Sequence, residues 1–379
     1  MTVTIAVPKE AEDNERRVAM VPKVAQKLAK LGVELRVQKG AGQSSRIPDD
    51  AYGDTASLVS RADVYKADVV LAVNVPKADD LAKMRKGSVL ISQIQAHRNP
   101  DAVQALGKAQ VTAFAMELVP RITRAQSMDV LSSQASAAGY KAALLAANHL
   151  ERFLPMLTTA AGTIRPAKVL VVGAGVAGLQ AIATAKRLGA KVEAYDVRTD
   201  TKEQVESLGA DFLVAEGVRA ESEGGYAREL TDEEKQKQQD LLARHIGAAD
   251  AVITTAAVPG RPAPRIIDKA MVEGMKPGAV LIDLGASGGG NCELTEPDKT
   301  VEHGAVTIVG PTNVPAMLAE HASEMYAQNV LNFLQLILVE DADSEAETRP
   351  RKLEIDWEDE ILAAAVLTRD GEIVHEAGK

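Results

Sequence analysis

Cysteine, aromatic rings and long apolar runs are scarce in this chain, positive charge is outweighed by negative, and each of these facts removes a class of protein. Cys292 is the one cysteine among 379 residues, so no internal disulfide can form and a reducing compartment fits. It sits in Gly289-Gly-Asn-Cys without an evident activating base, which reads as a small structural residue rather than a nucleophile. Aromatics make up 3% of the residues, so the cores must be built from Ala, Val, Leu and Ile. A net charge of −10 leaves no basic footprint for nucleic acid and disfavours adsorption to an anionic bilayer. No apolar run approaches the roughly 18 residues that a membrane span needs. Thr2-Val-Thr-Ile-Ala-Val-Pro-Lys-Glu opens as a strand and turn, not a signal peptide. No metal site is expected.

What is present is the composition of a globular protein, 46% hydrophobic and 25% charged, in a length that makes two domains the default. Strand candidates are Thr4-Ile-Ala-Val, Val33-Glu-Leu-Arg-Val, Asp68-Val-Val-Leu-Ala-Val, Ser88-Val-Leu-Ile-Ser and Val111-Thr-Ala-Phe-Ala-Met. Helical spacing separates them over residues 22–31, 49–60 and 100–106. Strands alternating with helices imply a parallel sheet covered on both faces. A long Ala/Leu-rich helix over about residues 132–153 carries the chain to a second domain, with strands at Val169, Val192, Phe212, Ala251 and Val280. Val306-Thr-Ile-Val is expected to close that sheet, and residues 315–338 to form a helix returning to the first domain. Glu340-Asp-Ala-Asp-Ser-Glu-Ala-Glu reads as an exposed acidic loop, and Arg369-Asp-Gly-Glu as a hairpin turn. Residues 220–240 begin polar and flexible around Tyr226 and continue into a charged helix; a mobile flap and a plain surface loop fit equally.

The most specific feature starts at Val169. An apolar strand runs into Gly173-Ala-Gly175-Val-Ala-Gly178, then a helix, then a second strand ending in Asp196 about 20 residues on, the context in which a glycine triplet signals a dinucleotide site. Gly173 allows the tight turn, Gly175 lets backbone approach a pyrophosphate, and Gly178 lets helix pack on strand. Asp196 can accept both ribose hydroxyls and would repel a 2′-phosphate, which favours NAD(H), although Arg198 could reach such a phosphate. The fold class that emerges is α/β, with two Rossmann-like, doubly wound parallel-sheet domains and a cleft between them. The expected boundaries are 1–131 with 325–379, and 132–324.

Between the domains, Arg121-Ile-Thr-Arg-Ala-Gln-Ser-Met-Asp-Val-Leu-Ser-Ser-Gln gathers Arg121, Gln126, Asp129 and Ser132. Residue types alone allow a plain capped connection, with Asp129 or Ser127 as N-cap, or the wall of a cleft.

This segment closely resembles the corresponding loop of the proton-translocating nicotinamide nucleotide transhydrogenases, in their peripheral NAD(H)-binding component. The resemblance extends over the chain through Pro8-Lys-Glu, Arg16-Arg-Val, Gly173-Ala-Gly-Val-Ala-Gly-Leu-Gln, Thr201-Lys-Glu-Gln-Val-Glu-Ser-Leu-Gly, Gly224-Gly-Tyr-Ala, Pro259-Gly-Arg-Pro-Ala-Pro and Gly289-Gly-Asn-Cys. It implies that Arg121, Gln126, Asp129 and Ser132 surround the nicotinamide half of NAD(H), and that Val176 lies under the dinucleotide. Asp196 would hold the adenosine ribose with Val197 and Arg198 beside it, and Gly225 and Tyr226 would close over the nucleotide. Gln238 and Ala257 are further implied contacts. It also implies NADP(H) on a partner subunit, membrane-spanning partners that translocate protons, a homodimer with the late hairpin as an exchange element, and a place on the cytoplasmic face of a bacterial inner membrane. The chain itself is expected not to enter the bilayer.

Alanine dehydrogenase resembles the chain too, and its activity is the alternative. That family places a lysine near Ala72, a histidine near Gln93 and an aspartate near Ser287, keeping only the arginine matched by Arg17. Keto-acid chemistry needs such a proton donor; hydride transfer between two nicotinamides does not.

Overall fold

The computed structural model describes residues 2–214, 231–256, 262–341 and 351–378. The chain divides into two compact units, residues 1–134 with 316–379, and residues 135–315. Each is built around its own sheet.

In the first unit, β1 (Thr4–Val7), β2 (Glu34–Gln38), β3 (Ser57–Val59), β4 (Val69–Asn74), β5 (Val89–Gln93) and β6 (Thr112–Ala115) run parallel in the order β6-β5-β4-β1-β2-β3. Parallel strands buried on both faces need apolar residues at every position. In β4, Val69, Leu71 and Val73 enter one core and Val70 enters the other. The late hairpin, Val366–Arg369 with Glu372–Ile373, extends the sheet antiparallel to β6. Its turn residues Asp370 (φ 53°) and Gly371 (φ 88°) both have positive φ, as a tight two-residue hairpin requires. Three aromatics cluster here: Phe114 meets Phe333 edge-on at 5.2 Å and stacks on Trp357 at 6.3 Å, and Arg369 lies 4.0 Å over the Trp357 ring.

The second unit begins with a separate hairpin, β7 (Leu157–Thr159) and β8 (Gly162–Ile164). Its main sheet comprises β9 (Lys168–Val172), β10 (Lys191–Tyr195), β11 (Asp211–Phe212), β12 (Ala251–Thr254), β13 (Val280–Asp283), β14 (Thr300–His303) and β15 (Val306–Val309), in the order β11-β10-β9-β12-β13-β15-β14. From β9 the chain first builds outward through β10 and β11, then returns to build the other way from β12. The switch point therefore lies between β9 and β12, where open α/β sheets bind ligands at the carboxyl edge.

Four longer helices carry or brace the candidate site residues: α1 (Val130–His149), α2 (Val176–Arg187), α3 (Asp232–Ala248) and α4 (Ala319–Leu334). The charged α3 starts with a reciprocal cap, the Thr231 hydroxyl accepting from Glu234 N and the Glu234 carboxylate accepting from Thr231 N. Helix α1 passes so close to the start of α2 that a Cβ on Gly139 would lie 2.0 Å from the carbonyl oxygen of Ala177.

Several expectations are corrected. Residues 49–60 are not one helix. A 3₁₀ segment, Asp49–Thr55, breaks at Gly53 (φ 50°), and Ser57–Val59 then pairs with β2 as an edge strand. Val306–Val309 does not close the second sheet; β14 does, antiparallel outside it. Its polar sequence, Thr-Val-Glu-His, matches an edge that faces solvent and hides its strand character. The helix expected over 132–153 starts at Val130 and ends at His149. Within residues 315–338, Pro315–Leu318 is a 3₁₀ turn, α4 ends at Leu334, and Leu338–Glu340 is a strand paired with Arg351–Leu353. Glu340, the first residue of the acidic stretch, thus belongs to a strand.

Candidate functional site

The nucleotide half of the site is the turn from β9 into α2. Gly173 has φ 100°, and a Cβ there would lie 2.6 Å from the Thr255 hydroxyl. A Cβ on Gly178 would fall 1.8 Å from the Gly173 carbonyl oxygen, so no side chain fits without moving backbone. Gly175 differs: nothing lies within 4 Å of its ideal Cβ. The glycine there is not demanded by the fold but leaves an open cradle above the turn. Gly175 is also the N-cap of α2 and brings no side chain to the first-turn N–H groups, which together with the helix dipole suit an anion. This arrangement fits a pyrophosphate. Val176 and Val197 remain 42% and 62% exposed around it, apolar surface that a bound dinucleotide would cover.

Asp196 follows β10 and does more than wait for a ribose. One carboxylate oxygen accepts from Ala174 N at 2.7 Å, tying the glycine turn to the neighbouring strand, and the other accepts from Arg198 N at 2.9 Å. The Arg198 guanidinium donates to the same carboxylate at 3.1 Å. Burial pushes the Asp196 pKa up, but hydrogen bonds from Arg198 and Ala174 outweigh it and hold the group below its usual range. Asp196 is thus anionic at neutral pH, and the Arg198 guanidinium already leans on it.

The polar segment of the first unit is a 3₁₀ turn, Thr123–Met128, leading into α1. Asp129 accepts from Ser132 N (2.9 Å) and the Ser132 hydroxyl (2.6 Å), the geometry of an N-cap. Two asparagines of α4, Asn329 and Asn332, donate to Ser127 O at 2.8 and 3.0 Å, and Arg124 pairs with Asp359 at 2.7 Å. The loop is therefore anchored from behind, while Arg121 and Gln126 remain exposed. The structure brings Asp129 and Ser132 into direct contact and leaves Arg121 and Gln126 facing solvent.

Gln238 is half-buried on α3, one turn before Leu241 and Leu242. Gly225, Tyr226 and Ala257 lie outside the described residues.

Sequence reasoning singled out Arg17 but not the buried polar cluster it joins in the first unit. The Arg17 guanidinium donates to Glu15 through Nε (2.9 Å) and Nη2 (2.6 Å), and through Nη1 to Gln134 at 2.8 Å. Asn74 Nδ2 also donates to Glu15 at 2.9 Å. Glu10 accepts from Val73 N and Asn74 N and lines a cavity of about 340 Å³ with Lys9, Asn74, Lys77 and Arg98. Burial raises the Glu10 pKa to about 8. A single glutamate in Pro-Lys-Glu carries no periodicity that would announce this. Of the positions where an alanine dehydrogenase would carry its substrate groups, Ala72 is buried inside β4, Gln93 ends β5, and Ser287 lies in a 3₁₀ turn.

Residues 142–376 match the family model "Alanine dehydrogenase/PNT, C-terminal domain", and residues 6–138 match its N-terminal counterpart. The chain is 48% identical to a Rhodospirillum rubrum protein named as the first portion of an NAD(P) transhydrogenase subunit alpha, covering 98% of both. It is 32% identical to an alanine dehydrogenase of Mycolicibacterium smegmatis, over 77% of this chain and 75% of that one. Among solved structures, a transhydrogenase from Sinorhizobium meliloti superposes with a TM-score of 0.87 at 46% identity, covering 98% of this chain and all of the other. The chain belongs to the alanine dehydrogenase/PNT family, and within it stands with the NAD(P) transhydrogenase alpha subunits.

Proposed function

We propose that this chain binds NAD(H) on its second unit and passes hydride directly between NADH and NADP⁺ held by a partner subunit, with membrane-spanning subunits coupling that step to proton translocation. The observation that carries the reading is the glycine turn, closed at Gly173 and Gly178 and open at Gly175, beside an ionised Asp196. The extended likeness to a transhydrogenase alpha subunit supports it.

Bound NADH supplies the hydride. The chain's own role is placement. Backbone N–H groups at the start of α2 hold the pyrophosphate, and Asp196 accepts the adenosine ribose hydroxyls, with Val176, Val197 and Arg198 beside it. Arg121 and Gln126 orient the nicotinamide carboxamide, and Asp129 with Ser132 fixes the loop that carries them. Gly225, Tyr226, Gln238 and Ala257 complete the proposed contacts. No proton accompanies hydride between two nicotinamides, so no general acid is required. The positions near Ala72, Gln93 and Ser287 supply neither lysine nor histidine, which favours this reading over alanine oxidation.

No helix among the described residues is long and apolar enough to cross a membrane, which suits a subunit resting on the cytoplasmic face of a bacterial inner membrane beside its spanning partners. A homodimer completes the proposal, with the late hairpin, which extends β6 in its own sheet, as the implied exchange element. The β7–β8 hairpin is a second candidate contact. Phe153, Met156 and Ile164 are 52%, 65% and 46% exposed, and residues 153–164 carry no charge. In a chain of net charge −10, that segment sets no like charges of its own against a second copy.

The test is transfer of label. NADH deuterated at C4 is incubated with the chain, NADP⁺ and a soluble NADP(H)-binding partner. Deuterium should appear in NADPH and not in water, and the chain alone should transfer none. Label in water, transfer without a partner, or NADH produced from NAD⁺ and alanine would each overturn the assignment.

The polar loop makes a second expectation. Asparagine is as good an N-cap as aspartate, so Asp129→Asn should leave stability unchanged. Gln126→Met should slow hydride transfer by roughly 10- to 100-fold while NADH affinity changes little, because its role is orientation; Asp129→Asn, which keeps the cap on Ser132, should slow it far less. Lost affinity with an unchanged rate per complex would make the loop a docking element instead.

A further inference from the structure

The glycine turn is gripped from both sides, and only one side was legible in its motif. On the β10 side, Gly173 N donates to Tyr195 O at 2.8 Å and Ala174 N donates to Asp196 at 2.7 Å. On the β12 side stands Thr255. Its backbone N–H continues the sheet to Val172 O at 2.9 Å, and its hydroxyl donates to Gly173 O at 3.0 Å. The same oxygen is what a Cβ on Gly173 would strike, and it lies 3.2 Å from the Cβ position of Gly178. Thr255 thus occupies the space that the first glycine keeps clear and borders the space kept by the third, which the Gly173 carbonyl oxygen fills.

From this contact we propose that Thr255 is a positioning residue for the pyrophosphate; the proposal rests on the NAD(H) reading above. Phosphate oxygens need N–H groups pointing at them and carbonyl oxygens turned away. The carbonyl of Gly173 is packed inward against Gly178, and the Thr255 hydroxyl holds it there and satisfies it. Thr255 is in turn held by its neighbours. The Thr254 hydroxyl donates to Asp283 at 2.9 Å, and Asp283 also accepts from Gly285 N, Cys292 N and the Thr295 hydroxyl. On the other flank, Asn291 Nδ2 donates to Ala256 O at 2.8 Å and to Pro264 O at 2.9 Å. Three consecutive residues at the end of β12 therefore reach three separate supports. The loop after β13 braces the threonine that sets the phosphate turn.

Thr255→Val keeps the shape and removes the donor; Thr255→Ala serves if the valine variant does not fold, and Thr255→Ser restores the hydroxyl. Binding of NADH, ADP-ribose and adenosine is measured for each, adenosine by competition. Loss of one hydrogen bond should weaken NADH and ADP-ribose by roughly 3- to 12-fold, leave adenosine unchanged, and be reversed in Thr255→Ser. Unchanged ADP-ribose affinity in the variants lacking the hydroxyl, or equal losses for adenosine and ADP-ribose, would overturn the proposal. Failure of the parent protein to bind NADH or ADP-ribose would instead overturn the NAD(H) reading, and this inference with it.

Discussion

Gly175→Ala should melt where the parent melts and yet bind NADH far more weakly, whereas Gly178→Ala should barely fold. The difference follows from where each Cβ would go. At Gly175 the backbone has φ −76° and ψ −169°, accessible to any residue, and the new methyl meets nothing within 4 Å. Alanine is a poorer N-cap than glycine by some tenths of a kcal/mol or more, but it also removes freedom from the unfolded chain, a gain of similar size. Folding is therefore nearly indifferent. The methyl nonetheless fills the cradle meant for the pyrophosphate, an overpacking cost of about 1–3 kcal/mol, or roughly 5- to 150-fold in affinity. At Gly178 the methyl would sit 1.8 Å from a backbone oxygen, and separating helix from strand should cost about 3–5 kcal/mol. Thermal melts and calorimetric titration of both variants check this. Equal NADH affinity in the parent and Gly175→Ala would mean that the cradle is not a phosphate site.

Stability of the parent should fall as pH rises from 5 to 8, and Glu10→Gln should remove much of that slope. Burial, reinforced by the Glu15 carboxylate, holds the Glu10 pKa up at about 8 against an ordinary 4.5, despite hydrogen bonds from Val73 N and Asn74 N and the nearby Arg17 guanidinium. Between those two values the folded state keeps a proton that the unfolded state has lost, so raising pH favours unfolding. Each pH unit costs at most about 1.4 kcal/mol, a few kcal/mol across the window. Glutamine keeps the shape and the neutrality and does not titrate. Arg17 and Tyr326, which also face Glu10, are shifted up and away from this range, and Glu117, raised by its own burial, is common to both proteins. Urea unfolding at pH 5 and pH 8 gives the comparison; parallel losses in the two proteins would show that Glu10 is ionised in the fold.

The α/β class and the nucleotide turn were legible before any folding, because both are written in neighbours along the chain. Runs such as Val69–Asn74 and Lys168–Val172 declare buried parallel strands, and the glycine triplet with Asp196 declares the turn within one βαβ unit. Asp370-Gly371 set the late hairpin for the same local reason. Features that depend on distant partners emerged with the fold. Ser57–Val59 and Thr300–His303 are strands because an adjacent edge offered them hydrogen bonds, not because their own residues demand it. Whether Asp129 capped the helix or lined a cleft was open until Ser132 took both its oxygens. Glu10 became a retained acid only when β4 and its surroundings shielded most of it from water. Thr255, 77 positions past the third glycine of the motif it completes, reached the turn only because β12 pairs with β9. Periodicity records which face of an element is buried; it carries no record of which other element does the burying.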